Sequence, residues 1–265
     1  MHKKEVYLRA REAAFFAAPL VSLLLMWQVV ASLGFIRILP TPVDVGRTIL
    51  NLCEQTRNGS PLLLTHLAAS LFRVGIGFCL AMAIGIPVGL LIGISKHASY
   101  LARPILSLLM PVPTIAWVPM LLIVWGLGDR TIVAAIFLGA FFSIAYNTAS
   151  GVRSIDKNLI WAAYTMGASK RTIFCRVLLP GSMVSVLTGL RLAVGYSWRA
   201  LVGAEMLAGT GWGLGYLVFA ARALAAADVM FAGLLVIMAA GHLMERCIIG
   251  PLERRTVQKW GVIRA

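Results

Sequence analysis

The chain has 265 residues, 60% of them hydrophobic and only 13% charged, and its mean hydropathy is +0.87. A water-soluble domain carries about 25% charged residues, so this composition cannot cover a globule with polar surface, and lipid must be the solvent for most of it. The formal charge of +14, from 24 Lys+Arg against 10 Asp+Glu, then belongs to membrane topology and excludes the basic face of a soluble nucleic-acid binder. Cys53, Cys79, Cys175 and Cys247 form no CxxC pair, so neither a disulfide framework nor a metal cluster is indicated.

A bilayer-spanning helix needs roughly 20 mostly apolar residues. Such windows fall at 15–36, 67–94, 105–126, 131–150, 181–207 and 229–249. They predict an all-α polytopic membrane protein with six transmembrane helices. The first window follows Lys3, Lys4, Arg9 and Arg11, as a signal peptide would. It is longer than a usual signal core and no small-x-small cleavage site follows it, so it is read as a retained helix. With the N-terminus inside, segments 1–14, 95–104, 151–180 and 246–265 face the cytoplasm and hold sixteen of the 24 Lys+Arg. The outward segments 35–66, 127–130 and 208–228 hold five. Positive charge gathers in inward loops, which gives an N-in/C-in topology.

The second window carries Gly77, Ala81, Gly85, Gly89 and Gly93, a small residue at every fourth position. On a helix they form one stripe that lets a neighbour approach to backbone contact. Packing within the protomer and a moving or subunit-facing interface both fit it. The third window contains Pro111, Pro113 and Pro119, with Pro104 just ahead of it. Each proline deletes a backbone donor, and a broken helix survives in lipid only against protein or a water-filled cavity. Pro111, Pro113 and Trp117 are therefore candidate pathway-lining residues, a kinked structural helix being the alternative. The fifth window holds Arg191, Trp198, Arg199 and Glu205. Charges at membrane depth face an interior, paired or wetted. Arg199 suits either attraction of an anionic solute or pairing with Glu205.

Catalysis has no visible constellation. His2, His66, His97 and His242 match no HExxH spacing, and there is no GxxxxGK[ST], so the chain has no ATPase site of its own. The run Gly209-Thr-Gly211-Trp-Gly213-Leu-Gly215 misses the GxGxxG spacing and reads as an outward turn or short re-entrant segment.

The longest inward connection, 151–180, is the informative one. Asp156 is placed to cap a first helix ending at Gly167, and Ser169 a second with Ile173, Phe174 and Val177 at helical spacing. Two short helices at an angle make a knob suited to a groove on a soluble partner. Trp161-Ala162-Ala163, Gly167 and Val177-Leu178-Leu179-Pro180 keep the spacing EAA-x3-G-x9-I-x-LP. This resembles the coupling loop of bacterial ABC importer permeases, with Trp161 in place of the Glu and Val177 in place of the Ile. Leu39-Pro-Thr-Pro-Val-Asp44, His66-Leu-Ala-Ala-Ser-Leu-Phe-Arg73, Gly85-Ile-Pro-Val-Gly89, Thr188-Gly-Leu-Arg-Leu-Ala193 and Val202-Gly-Ala-Glu-Met206 extend the likeness, over about residues 39–255, to the nitrate/sulfonate/taurine branch.

The resemblance implies a permease without chemistry of its own in the bacterial inner membrane. It implies a permease core at 66–250, preceded by a first helix at 15–36 and followed by a cytoplasmic tail at 251–265. Two copies of a separate ATPase, holding ATP and Mg, would sit on the loop at Ala162, Ala163, Gly167, Ala168, Ser169 and Pro180. A second permease copy would complete the path, an extracytoplasmic binding protein would deliver the solute, and nucleic acid has no part. An ion-gradient transporter is the alternative; it usually displays intramembrane carboxylate relays or inverted repeats, and the predicted spans hold only Glu205 and, near the inner end of the sixth, Glu245. An intramembrane enzyme, the second alternative, lacks a catalytic pair.

Overall fold

The computed structural model describes residues 18–34, 38–57 and 59–256. Helix α1 (Ala18–Ser32) is followed by α2 (Pro42–Glu54) and a two-stranded hairpin of β1 (Thr56–Arg57) and β2 (Ser60–Pro61). The remaining helices are α3 (Leu62–Ile94), α4 (Lys96–Leu109), α5 (Val118–Trp125), α6 (Asp129–Arg153), α7 (Lys157–Thr165), α8 (Lys170–Ile173), α9 (Leu179–Ala208), α10 (Leu214–Ala223) and α11 (Ala227–Thr256). Among the described residues four helices are long and apolar enough to cross a membrane: Leu62–Ile94, Asp129–Arg153, Lys170–Ala208 and Ala227–Cys247. The expected first span, 15–36, lies partly outside the described residues; its described part is the shorter apolar α1.

The chain divides into two compact units. The smaller gathers α1, α2, the hairpin and residues 217–235. Its α1 is anchored by Trp27, whose indole N–H donates to the Pro40 carbonyl at 3.1 Å and whose ring lies 5.5 Å from that of Phe231. Helix α2 starts on a reciprocal box between Thr41 and Asp44, with Pro42 in its first turn. The hydrogen bond from the Thr41 hydroxyl holds the Asp44 carboxyl below its ordinary range.

The larger unit is built on the apolar α3, α6 and α9. The stripe of α3 lies against α6: a Cβ at Gly77 would meet Ile136 at 2.6 Å, one at Gly89 Thr148 at 2.6 Å, and one at Gly93 Val152 at 2.6 Å. Gly85 faces Ile144 at 3.1 Å, and Ala81 is fully buried. Helix α9 meets the next face of α6 by the same device, with Gly151 against Ser185 and Gly189 against Asn147. Within this unit the stripe is the seam of one protomer.

Two expectations need correction. The third window is broken, as its prolines predict, but its helical segment does not begin at 105. Residues 95–104, read as loop, belong to α4, which begins on the Ser95 cap. The chain then turns at 110–113 and resumes as a 3₁₀ turn (Thr114–Trp117) and α5, at 96° to α4. Pro111 and Pro113 cannot donate to a helical ladder and so enforce the break. Likewise, the second helix of the inward loop is not separate from the fifth span. Helix α8 passes through a π turn (Phe174–Leu178) into α9, one helical run from Lys170 to Ala208. The Leu179 N–H reaches back to Phe174, which carries the ladder across the residue before Pro180, where the next donor is missing.

Candidate functional site

His66, Ser70 and Arg73 stand at i, i+4 and i+7 on α3, one face of an otherwise apolar helix. That face closes on Glu205, near the end of α9, and on the glycine-rich segment after it. Glu205 is fully buried. Its carboxylate accepts from Arg73 Nη1 at 2.8 Å, from the Ser70 hydroxyl at 2.9 Å and from the Gly215 N–H at 2.9 Å. Arg73 also donates to Asp129 Oδ1 at 2.8 Å and to the Trp212 carbonyl at 2.7 Å. Ser70 Oγ accepts from the Leu214 N–H at 2.9 Å, and the Gly213 N–H reaches His66 Nδ1 at 3.0 Å. The glycines make this approach possible. Gly213 has φ +127°, and a Cβ there would sit 2.5 Å from the Glu205 carboxylate. The cluster is a polar clamp joining α3, α6, α9 and the 209–215 segment, and the partner of Glu205 is Arg73, not Arg199.

A separate cavity of about 440 Å³ opens where α4 and α5 part. Pro111, Pro113, Thr114, Trp117, Tyr196 and Arg199 are among its lining residues. The Arg199 guanidinium stands 5.1 Å from the Tyr196 ring centroid, a cation–π contact, and among the described residues it makes no ion pair. Four of the six residues considered for a solute path thus meet here. Glu205 stays in the clamp. Trp198 turns away, its indole N–H donating to the Ile237 carbonyl at 3.2 Å, with Gly241 against its ring. Thr114 and Tyr196 were not anticipated, although Tyr196 precedes Arg199 by three residues, on the same helix face.

The elbow between α6 and α9 follows the spacing of its motif. Asp156 caps α7 by accepting from the Asn158 N–H at 2.8 Å. The chain reverses at Gly167, whose φ of +80° disfavours any side chain, and Ser169 caps α8. Ala163 is buried, with the Ala168 N–H on its carbonyl at 3.0 Å. Ala162 and Ser169 are exposed, Ala168 is half-buried and Pro180 lies in the first turn of α9. Around them Leu159, Trp161, Tyr164 and Met166 point outward, Met166 being 80% exposed.

Residues 85–255 match the family of binding-protein-dependent transport system inner membrane components, and the chain belongs to that family. The taurine transport system permease protein TauC of Escherichia coli is 36% identical over 96% of this chain and 93% of its own. The bicarbonate transport system permease protein CmpB of Synechococcus elongatus is 31% identical over 87% of this chain and 85% of its own. Among solved structures, the MetNI methionine ABC transporter in an inward-facing conformation superposes with a TM-score of 0.59 at 19% identity. It covers 72% of this chain and 98% of the solved one. The chain is therefore an inner-membrane permease subunit of an ATP-driven importer, and ATP hydrolysis falls to a separate subunit.

Proposed function

We propose that this permease passes a small oxyanion-bearing solute, of the sulfonate, taurine or nitrate kind, through the cavity at Arg199. The observation that carries the reading is a guanidinium in the apolar fifth window that makes no ion pair among the described residues and faces a cavity it shares with the aromatic Tyr196 and Trp117 and the hydroxyl residue Thr114. A cation left without a counter-ion at membrane depth is costly unless water or an anion meets it. The names of TauC and CmpB, taurine and bicarbonate carriers, agree with such a cargo.

In this reading the chain crosses the membrane six times, both termini in the cytoplasm, with the first helix at 15–36, the transmembrane core at 66–250 and the tail at 251–265. A second permease copy faces it across the path, and an extracytoplasmic binding protein delivers the solute. Two ATPase copies, holding ATP and Mg, grip the elbow at Ala162, Ala163, Gly167, Ala168, Ser169 and Pro180; the chain itself binds no cofactor. The exposed Leu159, Trp161, Tyr164 and Met166 support that docking, since an apolar cluster on a membrane protein's water-facing loop asks for a protein cover. The continuous run from Lys170 to Ala208 then carries a push on the elbow directly to Arg199.

Uptake of radiolabelled taurine, ethanesulfonate and nitrate by cells carrying the complete transporter tests the cargo. Arg199→Gln is expected to lower uptake of the transported solute at least ~10-fold, the effect of one charge-assisted hydrogen bond, with Arg199→Lys retaining part of it. Unchanged uptake by Arg199→Gln, with the ATPase still bound, overturns the assignment.

A further inference from the structure

Helix α4 carries a second cationic feature, remote in character from the cavity at Arg199. A cavity of about 630 Å³ is lined by Lys96, Ser99, Tyr100, Arg103, Ser107 and Arg153, with no carboxylate among its lining residues. Lys96 stands in the first turn of α4, beside backbone N–H groups, and Arg153 in the last turn of α6. On the same helix Tyr100, Leu101, Ile105 and Leu108 are 79%, 74%, 56% and 75% exposed. Leu106 is buried against Ile92 and Ala149. One side of α4 thus packs on protein, while the rest offers cations next to unpartnered apolar side chains.

The depth of this feature follows from two fixed points. Arg73 meets Asp129, whose side chain is 66% exposed, at one end of the α3–α6 pair. Gly93 meets Val152 at the other. At 1.5 Å per residue the two points are about 30 Å apart along α3, one hydrocarbon thickness. Arg153, next to Val152, and Lys96, just past the end of α3, therefore sit at headgroup level. The 96° bend between α4 and the following helical segment keeps the two from forming one straight span, and the exposed apolar side of α4 beside its cations is the pattern of an amphipathic helix at a membrane face.

We propose that this cavity holds the phosphate headgroup of an anionic phospholipid, with the acyl chains along Tyr100, Leu101, Ile105 and Leu108. Basic pockets between helices at a membrane face bind such headgroups; here three cations and the N-terminal end of α4 supply the charge complement, and the apolar side of α4 supplies the surface for the tails. The proposed topology enters only in assigning the lipid to the inner leaflet.

The test uses the full chain in phosphatidylcholine nanodiscs containing a minority of phosphatidylglycerol, with native mass spectrometry counting the retained lipid. Because both leaflets carry phosphatidylglycerol, the result is independent of sidedness and of the cargo. The triple variant Lys96→Gln, Arg103→Gln, Arg153→Gln is expected to lose retention by about fivefold for each cation removed. A control of equal charge on the elbow, Lys157→Gln, Lys170→Gln, Arg171→Gln, should keep it, and millimolar inorganic phosphate should not displace it. Equal retention in the triple variant, equal loss in both variants, or displacement by inorganic phosphate each overturns the proposal. So does unchanged lipid retention with loss of the bound ATPase, which would make the surface a protein contact. Should the triple variant not fold, the single Arg103→Gln decides: phosphatidylglycerol is expected to raise the Tm of the unsubstituted chain and to raise that of Arg103→Gln less, and an equal rise in both overturns the proposal.

Discussion

At position 205 a carboxylate without water contact is held by one guanidinium, one hydroxyl and one backbone N–H. Removing one partner of such a buried pair leaves the other charge uncompensated, which costs about 3–5 kcal/mol. Glu205→Ala and Arg73→Ala are each expected to lower thermal stability in detergent by that order. Glu205→Gln, which can still accept from Gly215 and Ser70, should cost less than Glu205→Ala. The double variant Arg73→Met, Glu205→Leu should cost less than the sum of the alanine variants, because no buried charge is then stranded; strict additivity in a thermal-unfolding cycle would show that the two do not act as a pair. The sequence pointed from Glu205 to Arg199, close in the chain, yet six helical residues place the two about 120° apart around α9. The partner lay 132 positions away. Its signature was legible all the same, since His66, Ser70 and Arg73 make a polar stripe on an apolar helix.

Among the elements, the α3 stripe was readable from spacing alone, because small residues at every fourth position leave one close-approach face. Which helix covers that face was not readable; Ile136, Ile144, Thr148 and Val152 supply the answer, on α6. Gly89→Val is expected to destabilise by about 1–3 kcal/mol through overpacking, since its Cβ would lie 2.7 Å from the Ala145 carbonyl as well as 2.6 Å from Thr148. Gly75, on the same helix, is the contrast, because a Cβ there would have nothing within 4 Å. Gly75→Ala should be neutral or stabilising by about 0.5–1 kcal/mol. Equal losses in a thermal-unfolding comparison would detach stability from the seam. The elbow was legible from caps, because Asp156, Gly167 and Ser169 act locally. The join of α8 to α9 was not, because a π turn that bridges Pro180 leaves no periodic trace in sequence.

For the molecule as a whole, hydropathy located the apolar windows but could not foresee that the third would bend by 96°, since prolines announce a break without its angle. Sidedness rests on the distribution of Lys and Arg, and the chain's own cysteines offer the check. Cys53, Cys79, Cys175 and Cys247 are all exposed in the isolated chain. In the proposed topology Cys53, on α2, faces the outside, Cys175, at the start of the fifth span, and Cys247 face the cytoplasm, and Cys79, mid-way along α3, faces lipid. Only a thiolate reacts with a maleimide, and hydrocarbon suppresses ionisation, so Cys79 should stay unlabelled on either side. Single-cysteine variants treated with a membrane-impermeant maleimide in intact cells should therefore label at Cys53 alone. Inside-out vesicles from cells lacking the ATPase subunit should label at Cys175 and Cys247, whereas restoring that subunit should protect Cys175 and leave Cys247 reactive. Labelling of Cys175 from outside intact cells would invert the whole arrangement and place the elbow where no cytoplasmic motor reaches it.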